Sequence, residues 1–415
     1  MKLSVIYNVF IRDFRKQKKR ITLTLMALAW GTISIMLLMG FGEGLHRQMA
    51  LQQKGMGDRI VVLWGGQTSK PYKGMGKGRP IRLHKDDIDY LARSIPELVA
   101  VGGEFHRWGV RLEYNGTVIS EHITGVTPNY EDIRFHIPQR GGRMINDLDV
   151  QLRRRVAFLG WGLKERLFGD EDAVGKKFLV QGIPFTVIGV MKEKAQMGCY
   201  AGNDVDLMAM PITTFEAMFG DTILDDMVYQ IAAHDDSKKI EKKVFEAFAA
   251  RYRFDPTDDR ALSTWDTVET SKGFNDVLLG IKLFLGLIGG LTLLVAGVGV
   301  ANIMYVSIKE RTREIGVKMA MGARKSYILT QFLIEALIIT FLGGFGGMSV
   351  SYILMEAFKR IPIESQVMDF MGRPTVSFEI GIAVVSILGI MGLLSGLFPA
   401  MRAASVNPVE SLRYE

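Results

Sequence analysis

Four stretches without a charged side chain set the first limit on this sequence: 21–42, 283–308, 336–355 and 380–401. A helix needs about 20 apolar residues to cross the hydrocarbon core of a bilayer, and each stretch is long enough. The expected fold is a multi-pass α-helical membrane protein with four transmembrane helices, one before and three after a polar segment at 46–276. That segment is large enough to bury a core of its own. The formal net charge of +7 resembles a nucleic-acid signal until it is located. The polar segment holds 32 Lys and Arg against 33 Asp and Glu, so it is nearly neutral. The surplus sits beside the spans. Lys2, Arg12, Arg15, Lys16, Lys18, Lys19 and Arg20 face a single Asp13 before the first span, and Lys309, Arg311, Arg313, Lys318, Arg324 and Lys325 lie between the second and third. Cationic loops stay in the cytoplasm. Both termini and the 309–325 loop are therefore expected inside, the polar segment outside, and no nucleic-acid partner is expected.

The layout divides into a cytoplasmic amphipathic helix at 1–20, spans at 21–45, 277–308, 326–355 and 379–401, and an extracytoplasmic domain at 46–276. It also contains a cytoplasmic loop at 309–325, an outer loop at 356–378 and a cytoplasmic tail at 402–415. In the first twenty residues Val5, Ile6, Val9, Phe10 and Phe14 alternate with basic residues at helical spacing, a pattern that suits the inner membrane face. An early start of the first span is the alternative. Phe41-Gly42-Glu43-Gly44-Leu45 offers no small-x-small cleavage site, so the first span reads as an uncleaved anchor. Cys199 is the only cysteine, and the outer domain must hold together by burial without an internal disulfide.

Within that domain, residues 59–63 read as a strand, and the glycine-rich basic stretch 65–80 reads as an irregular, mobile loop. Val110, Leu112 and Tyr114 alternate before Asn115-Gly116, and 117–123 return, which predicts a hairpin. A second hairpin turns at Gln181-Gly182. Residues 155–159 and 227–232 read as strands, and 85–94, 162–168 and 237–252 as helices. The class is a large α+β extracytoplasmic domain, with helix-bearing pieces at its ends and a hairpin-rich middle. From Thr270 a helix is expected to rise into the second span.

Catalytic patterns are missing from the sequence. The nearest approach to a phosphate-binding loop, Gly169 to Lys177, has one residue too many between its glycines, a lysine where the hydroxyl belongs, and the acidic run Asp170-Glu171-Asp172. The six histidines show no pair at metal-ligand spacing, and no Gly-x-Ser-x-Gly elbow occurs. The expectation is a non-enzyme with no catalytic residue, bound cofactor or metal. Glycines four apart recur in every span (Gly40 and Gly44, Gly286 and Gly290, Gly343 and Gly347, Gly392 and Gly396), a spacing that permits close helix packing. Glu335 is the ionisable group well inside a span. A structural or coupling role, an interfacial solvated position and an ion pathway all remain open for it.

The most specific string is Glu310-Arg311-Thr312-Arg313-Glu314-Ile315-Gly316, followed by Lys318 and Gly322. It describes a helix leaving the membrane in alternating charges, then a short helix punctuated by glycine. Such a helix can dock in a partner and pass force to the attached spans, or serve only as a solvated topogenic loop. That string resembles the MacB/FtsX family of ABC transporter permeases, the mechanotransmitting or type VII group. Phe398-Pro399-Ala400-Met401-Arg402, running on to Arg413, is similar to the family's C-terminal signature. Arg155–Gly160, Val174-Gly175-Lys176 and Phe185–Val190 are similar to its periplasmic core.

The resemblance implies a permease subunit acting as a homodimer or heterodimer, with ATP and magnesium bound by a separate cytoplasmic ATPase. It also implies an outer domain of two subdomains, with motion rather than substrate crossing the membrane bundle. It casts Glu310, Arg311, Thr312, Arg313, Glu314, Gly316, Lys318 and Gly322 as ATPase-coupling residues, and Glu335, Pro399 and Arg402 as structural or coupling residues in the spans. Efflux of a drug, peptide or lipid-like substrate is the expected function, with a periplasmic adaptor and outer-membrane channel as further partners beside membrane lipids. Lipoprotein release of the LolC/LolE type and FtsX-like control of cell-wall hydrolases stand as alternatives. Reversing charge at Arg311, Arg313 and Glu314 is expected to uncouple ATP hydrolysis while sparing the fold.

Overall fold

The computed structural model describes residues 18–194, 196, 198–232, 236–361 and 372–406. The amphipathic pattern at 1–17, the middle of the outer loop at 362–371 and the tail at 407–415 lie outside the described residues. The chain divides into two compact units. One joins Met1–Gln48 to Asn275–Glu415, and the other is Met49–Phe274.

Among the described residues, four helices are long and apolar enough to cross a membrane: Lys18–Gln52, Thr267–Glu310, Lys325–Arg360 and Phe378–Ala404. The fold is that of a multi-pass membrane protein in a one-plus-three arrangement with an α+β extracytoplasmic domain. With all helices numbered in chain order, these spans lie in α1 (Lys18–Gly55), α8 (Thr267–Glu310), α10 (Lys325–Arg360) and α11 (Phe378–Ala404). Lipid supplies little hydrophobic drive between helices, so close approach of small residues carries the packing. A Cβ at Gly347 of α10 would stand 2.5 Å from the Ala29 carbonyl of α1, and one at Gly343 would stand 2.7 Å from Leu28 Cβ. A Cβ at Gly396 of α11 would stand 2.6 Å from Ala336 Cβ on α10. The glycine pairs at 343/347 and 392/396 thus fall on helix contacts, whereas a Cβ at Gly286 or Gly290 on α8 would meet nothing within 4 Å among the described residues.

Among the described residues, the second unit is built on one mixed sheet of nine strands. They are β1 (Ile60–Gly65), β2 (Leu98–Tyr114), β3 (Thr117–Val126), β4 (Val156–Leu159), β5 (Lys177–Val180), β6 (Ile183–Val190), β7 (Met208–Pro211), β8 (Asp226–Ile231) and β9 (Leu262–Asp266). The order across the sheet is β3-β7-β4-β6-β5-β2-β8-β1-β9. Both expected hairpins form, and their tips take positive φ at Asn115 and Gly116 (46° and 84°) and at Gln181 and Gly182 (51° and 78°). That conformation matches the right-handed twist of the flanking strands. The helix expected at 237–252 forms as α7 (Ser237–Tyr252), capped by the Asp236 side chain and burying Ile240, Val244, Phe248 and Ala249. Between α1 and α7 lie α2 (Asp86–Ser94), α3 (Tyr130–Arg134), α4 (Asp147–Gln151), α5 (Trp161–Phe168) and α6 (Ile212–Phe219).

The stretch 65–80 departs from its expected irregularity. Bridges at Gln67–Pro80 and Tyr72–Met75 fold it back on itself. Buried Asp258 accepts the Ser69 and Lys70 amides at 2.6 and 2.9 Å, and the Ser69 hydroxyl at 2.7 Å. A carboxylate that satisfies backbone donors in this way substitutes for a ladder that the glycines cannot specify.

A buried polar centre holds the loops on one side of the sheet. Asp204 accepts from Arg134 Nη2 at 2.8 Å, His136 Nε2 at 3.0 Å and Lys194 Nζ at 2.7 Å. Arg134 also donates to the Met56 carbonyl, and Lys194 to the carbonyls of Gly55 and Arg134. Burial alone would raise the Asp204 carboxyl, but Arg134, His136 and Lys194 outweigh it and hold it well below the carboxylate range. Burial pulls His136 down to about 4 and Lys194 to about 8. The contribution of Asp204 is complete above its unfolded value of about 3.9 and disappears as the pH falls through its lower folded value. Asp204→Asn strands two buried cations and should cost about 3–5 kcal/mol. Thermal unfolding in detergent should show that loss at neutral pH, together with a flatter response of the variant to acid below about pH 4.

Candidate functional site

The inner loop is three helical pieces and two joints. The span α8 ends at Glu310, and α9 (Thr312–Ala320) follows after the single residue Arg311, whose φ and ψ of −103° and 11° break the helix. The Thr312 hydroxyl donates to the carbonyls of Ile308 and Lys309, both at 3.0 Å, closing the end of α8. At the other joint the Gly322 amide donates to the Met319 carbonyl and the Ala323 amide to the Lys318 carbonyl, each at 3.0 Å. This is a Schellman ending, and the φ of +93° at Gly322 explains why glycine is needed there. The next span, α10, then starts at Lys325.

A closed ring of side chains locks these pieces together. Arg311 Nη1 donates to both carboxylate oxygens of Glu335, at 3.2 and 3.1 Å. Gln331 donates to Glu335 Oε1 at 3.2 Å and accepts from Lys318 Nζ at 3.4 Å. Lys318 lies 3.0 Å from Glu314, and Glu314 lies 3.5 Å from Arg311 Nε. The Phe332 ring lies beneath the Arg311 guanidinium at 5.3 Å. Arg311 and Glu335 are 8% and 6% exposed. Two positive and two negative charges circulate through the ring and cancel, the condition under which buried charge is tolerated. Ile315 of α9 completes the joint among Ile308, Ile328 and Phe332.

Of the residues singled out in the sequence, Arg311, Glu314, Lys318 and Glu335 come together in this ring. Arg311 is not a surface contact, and reversing it would set a carboxylate directly against Glu335 in a buried place. The expectation that such a reversal spares the fold is therefore withdrawn. Gly316 is buried on the inner face of α9, while Glu310 and Arg313 are exposed. The outward side also carries Val317, Met321 and Arg324, and Lys318, Met321, Gly322, Arg324, Tyr327 and Thr330 border a groove of about 750 Å³. Pro399 is buried inside α11, where proline removes a helical hydrogen bond. Arg402 lies 5.9 Å above the Tyr305 ring. Gln331 and Phe332 belong to the same joint but had no sequence role. Their i−4 and i−3 spacing from Glu335 on one helix face is the signal that could have found them.

The outer unit holds a second cluster that the sequence does not reveal. Glu104, His106 and Asp226 lie together in the middle of the sheet, with one ligand-type atom from each within 4.8 Å of the others. Burial, with the Asp226 charge beside it, pushes the Glu104 carboxyl up to about 7.

Comparison with known proteins bears on both units. Residues 21–246 match the model of the MacB-like periplasmic core domain, and residues 286–408 match the FtsX-like permease C-terminal model. The chain is 30% identical to the macrolide export ATP-binding/permease protein MacB of Neisseria gonorrhoeae, over 99% of its own length and 62% of that relative's. It is also 30% identical to the pyoverdine export ATP-binding/permease protein PvdT of Pseudomonas fluorescens, over 95% and 57%. It thus spans about three-fifths of the curated relatives it matches. Among solved structures, the periplasmic region of MacB from Actinobacillus actinomycetemcomitans aligns with 54% of this chain and 95% of its own, at 16% identity and a TM-score of 0.42. With the two family models covering the outer unit and the later spans, the chain belongs to the MacB/FtsX family of ABC transporter permeases.

Proposed function

We propose that this permease transmits ATP-driven motion from a cytoplasmic ATP-binding unit to its extracytoplasmic domain, and does so for export. The observation that carries this reading is the ring at the inner loop. It fixes α9 to both α8 and α10 while leaving Arg313, Val317 and Met321 outward for a partner. A push on α9 therefore reaches both spans together. One helix is continuous from Thr267 to Glu310, and at ~1.5 Å per residue it is far longer than a bilayer crossing requires. The basic loop and the basic first twenty residues support a cytoplasmic side for the joint. Relatives named for macrolide and pyoverdine export favour an amphiphilic small molecule as substrate. A second copy of the chain completes the working unit, for which the exposed apolar residues Leu283, Leu287, Leu291 and Val295 of α8 offer a face. ATP and magnesium belong to the ATP-binding unit.

Val317→Asp and Met321→Asp change exposed side chains and should leave the thermal midpoint within experimental error. Each should lower retention of the ATP-binding unit in copurification by about tenfold or more, the equivalent of ~1.4 kcal/mol. Wild-type retention and transport in both variants would exclude this docking face. The ring itself can be tested by a double-mutant cycle. Arg311→Ala and Glu335→Ala should each cost about 3–5 kcal/mol, and the double variant should cost less than their sum by ~0.5–3 kcal/mol. Strict additivity in detergent unfolding would deny the pair.

A further inference from the structure

Glu104 on β2 pairs directly opposite Asp226 on β8, and His106 lies two residues further along β2, on the same face. Like charges placed directly opposite across a strand pair repel. Here both carboxylates are 1% exposed, so water screens neither of them. A cation must stand between them for both to remain ionised.

The donor atoms are already arranged for one. His106 Nε2 lies 2.9 Å from Asp226 Oδ2 and 3.5 Å from Glu104 Oε2. Ligands held ~2.0–2.2 Å from a tetrahedral zinc ion stand roughly 3.3–3.6 Å apart; the His106–Glu104 distance falls in that range, and the shorter His106–Asp226 hydrogen bond would have to open slightly. A protonated imidazole could fill the gap instead, but its single Nε2–H serves one carboxylate at a time. Moreover, among the described residues Asp226 Oδ1 is buried with no hydrogen-bond partner, so a strong acceptor carries its desolvation penalty uncompensated.

The surroundings resemble the supporting layer of a metal site. The Tyr130 hydroxyl donates to Glu104 Oε2 at 3.0 Å, and the Tyr200 hydroxyl donates to Oε1. His106 Nδ1 lies 3.2 Å from His122 Nε2 and 3.3 Å from Thr124 Oγ1. With a proton kept on Nδ1, where either neighbour can accept it, a metal would take the Nε2 position that is now hydrogen-bonded to Asp226 Oδ2. His122 is in turn stacked under the exposed Trp108 at 4.0 Å.

We propose that Glu104, His106 and Asp226 bind one divalent transition-metal ion, which ties β2 to β8 at the centre of the outer sheet. Two carboxylates and one imidazole suit zinc among the available ions, with water taking the remaining position. The ion neutralises the facing carboxylates.

The test uses the full chain in detergent, carrying a tag without histidines and a Cys199→Ser background, because Cys199 is exposed and could bind zinc itself. The protein is stripped with chelator and titrated with zinc chloride calorimetrically, then with cobalt for its visible spectrum. One equivalent should bind saturably, and cobalt should show the bands of a low-coordinate nitrogen–oxygen site. His106→Ala and Asp226→Asn should weaken zinc by at least ~100-fold. His122→Ala should weaken it by ~10–100-fold, as loss of a supporting partner does. His84→Ala, at an exposed histidine elsewhere, should change nothing. The wild-type titration decides the matter even if a variant fails to fold. No saturable zinc binding below about 100 µM, or wild-type affinity in a folded His106→Ala protein, would overturn the site.

Discussion

The membrane unit depends on one buried ion pair, Arg311 with Glu335. An ionised side chain within a span is expensive, and so is a buried arginine with no anion. Neither is tolerated alone, and together they force the break after α8 to lie against the fourth turn of α10. Gln331, Lys318 and Glu314 then close the ring and set the rotation of α9. Chemistry that is poor at adding net stability is good at specifying a single arrangement. A joint of that kind can carry load, because bending it means exposing or unpairing charge. The same logic appears in the outer unit, where Asp204 gathers Arg134 and His136 from the end of α3 and Lys194 from the segment after β6.

How much of this could be read beforehand depended on the range of the interaction. The four spans were legible because a bilayer demands a continuous apolar run, and the two hairpins because Asn-Gly and Gln-Gly tips are local signals. Helix α7 was legible from its periodicity. By contrast β7 was missed because Met208–Pro211 is buried on both faces and shows no alternation. The first half of β2 was obscured by Gly102-Gly103, which weakens any strand pattern. The 65–80 stretch misled because its order comes from Asp258, nearly two hundred residues away.

The site followed the same rule. Arg311, Glu314 and Lys318 stand in one short string and could be marked as a group. That Arg311 points inward to Glu335 depends on a turn between two spans, which spacing alone does not report. The cluster at Glu104, His106 and Asp226 was less accessible still. Histidine spacing along the chain is uninformative when the third member of a cluster arrives through strand pairing across 120 residues. Histidine spacing is a local signal, and the sheet brings together side chains that the chain separates.

If the inner joint is a rigid coupling, motion begun at α9 must appear in the outer domain. The most direct measurement labels Val118→Cys, exposed near the tip of the first hairpin, in a Cys199→Ser background reconstituted with the ATP-binding unit. Pulsed electron–electron distances between the labels of two copies are recorded with and without trapped ATP. The account predicts a shift in the distance distribution on trapping, and its disappearance in the Met321→Asp protein. An unchanged distribution on trapping, or a shift that survives Met321→Asp in full, would contradict it.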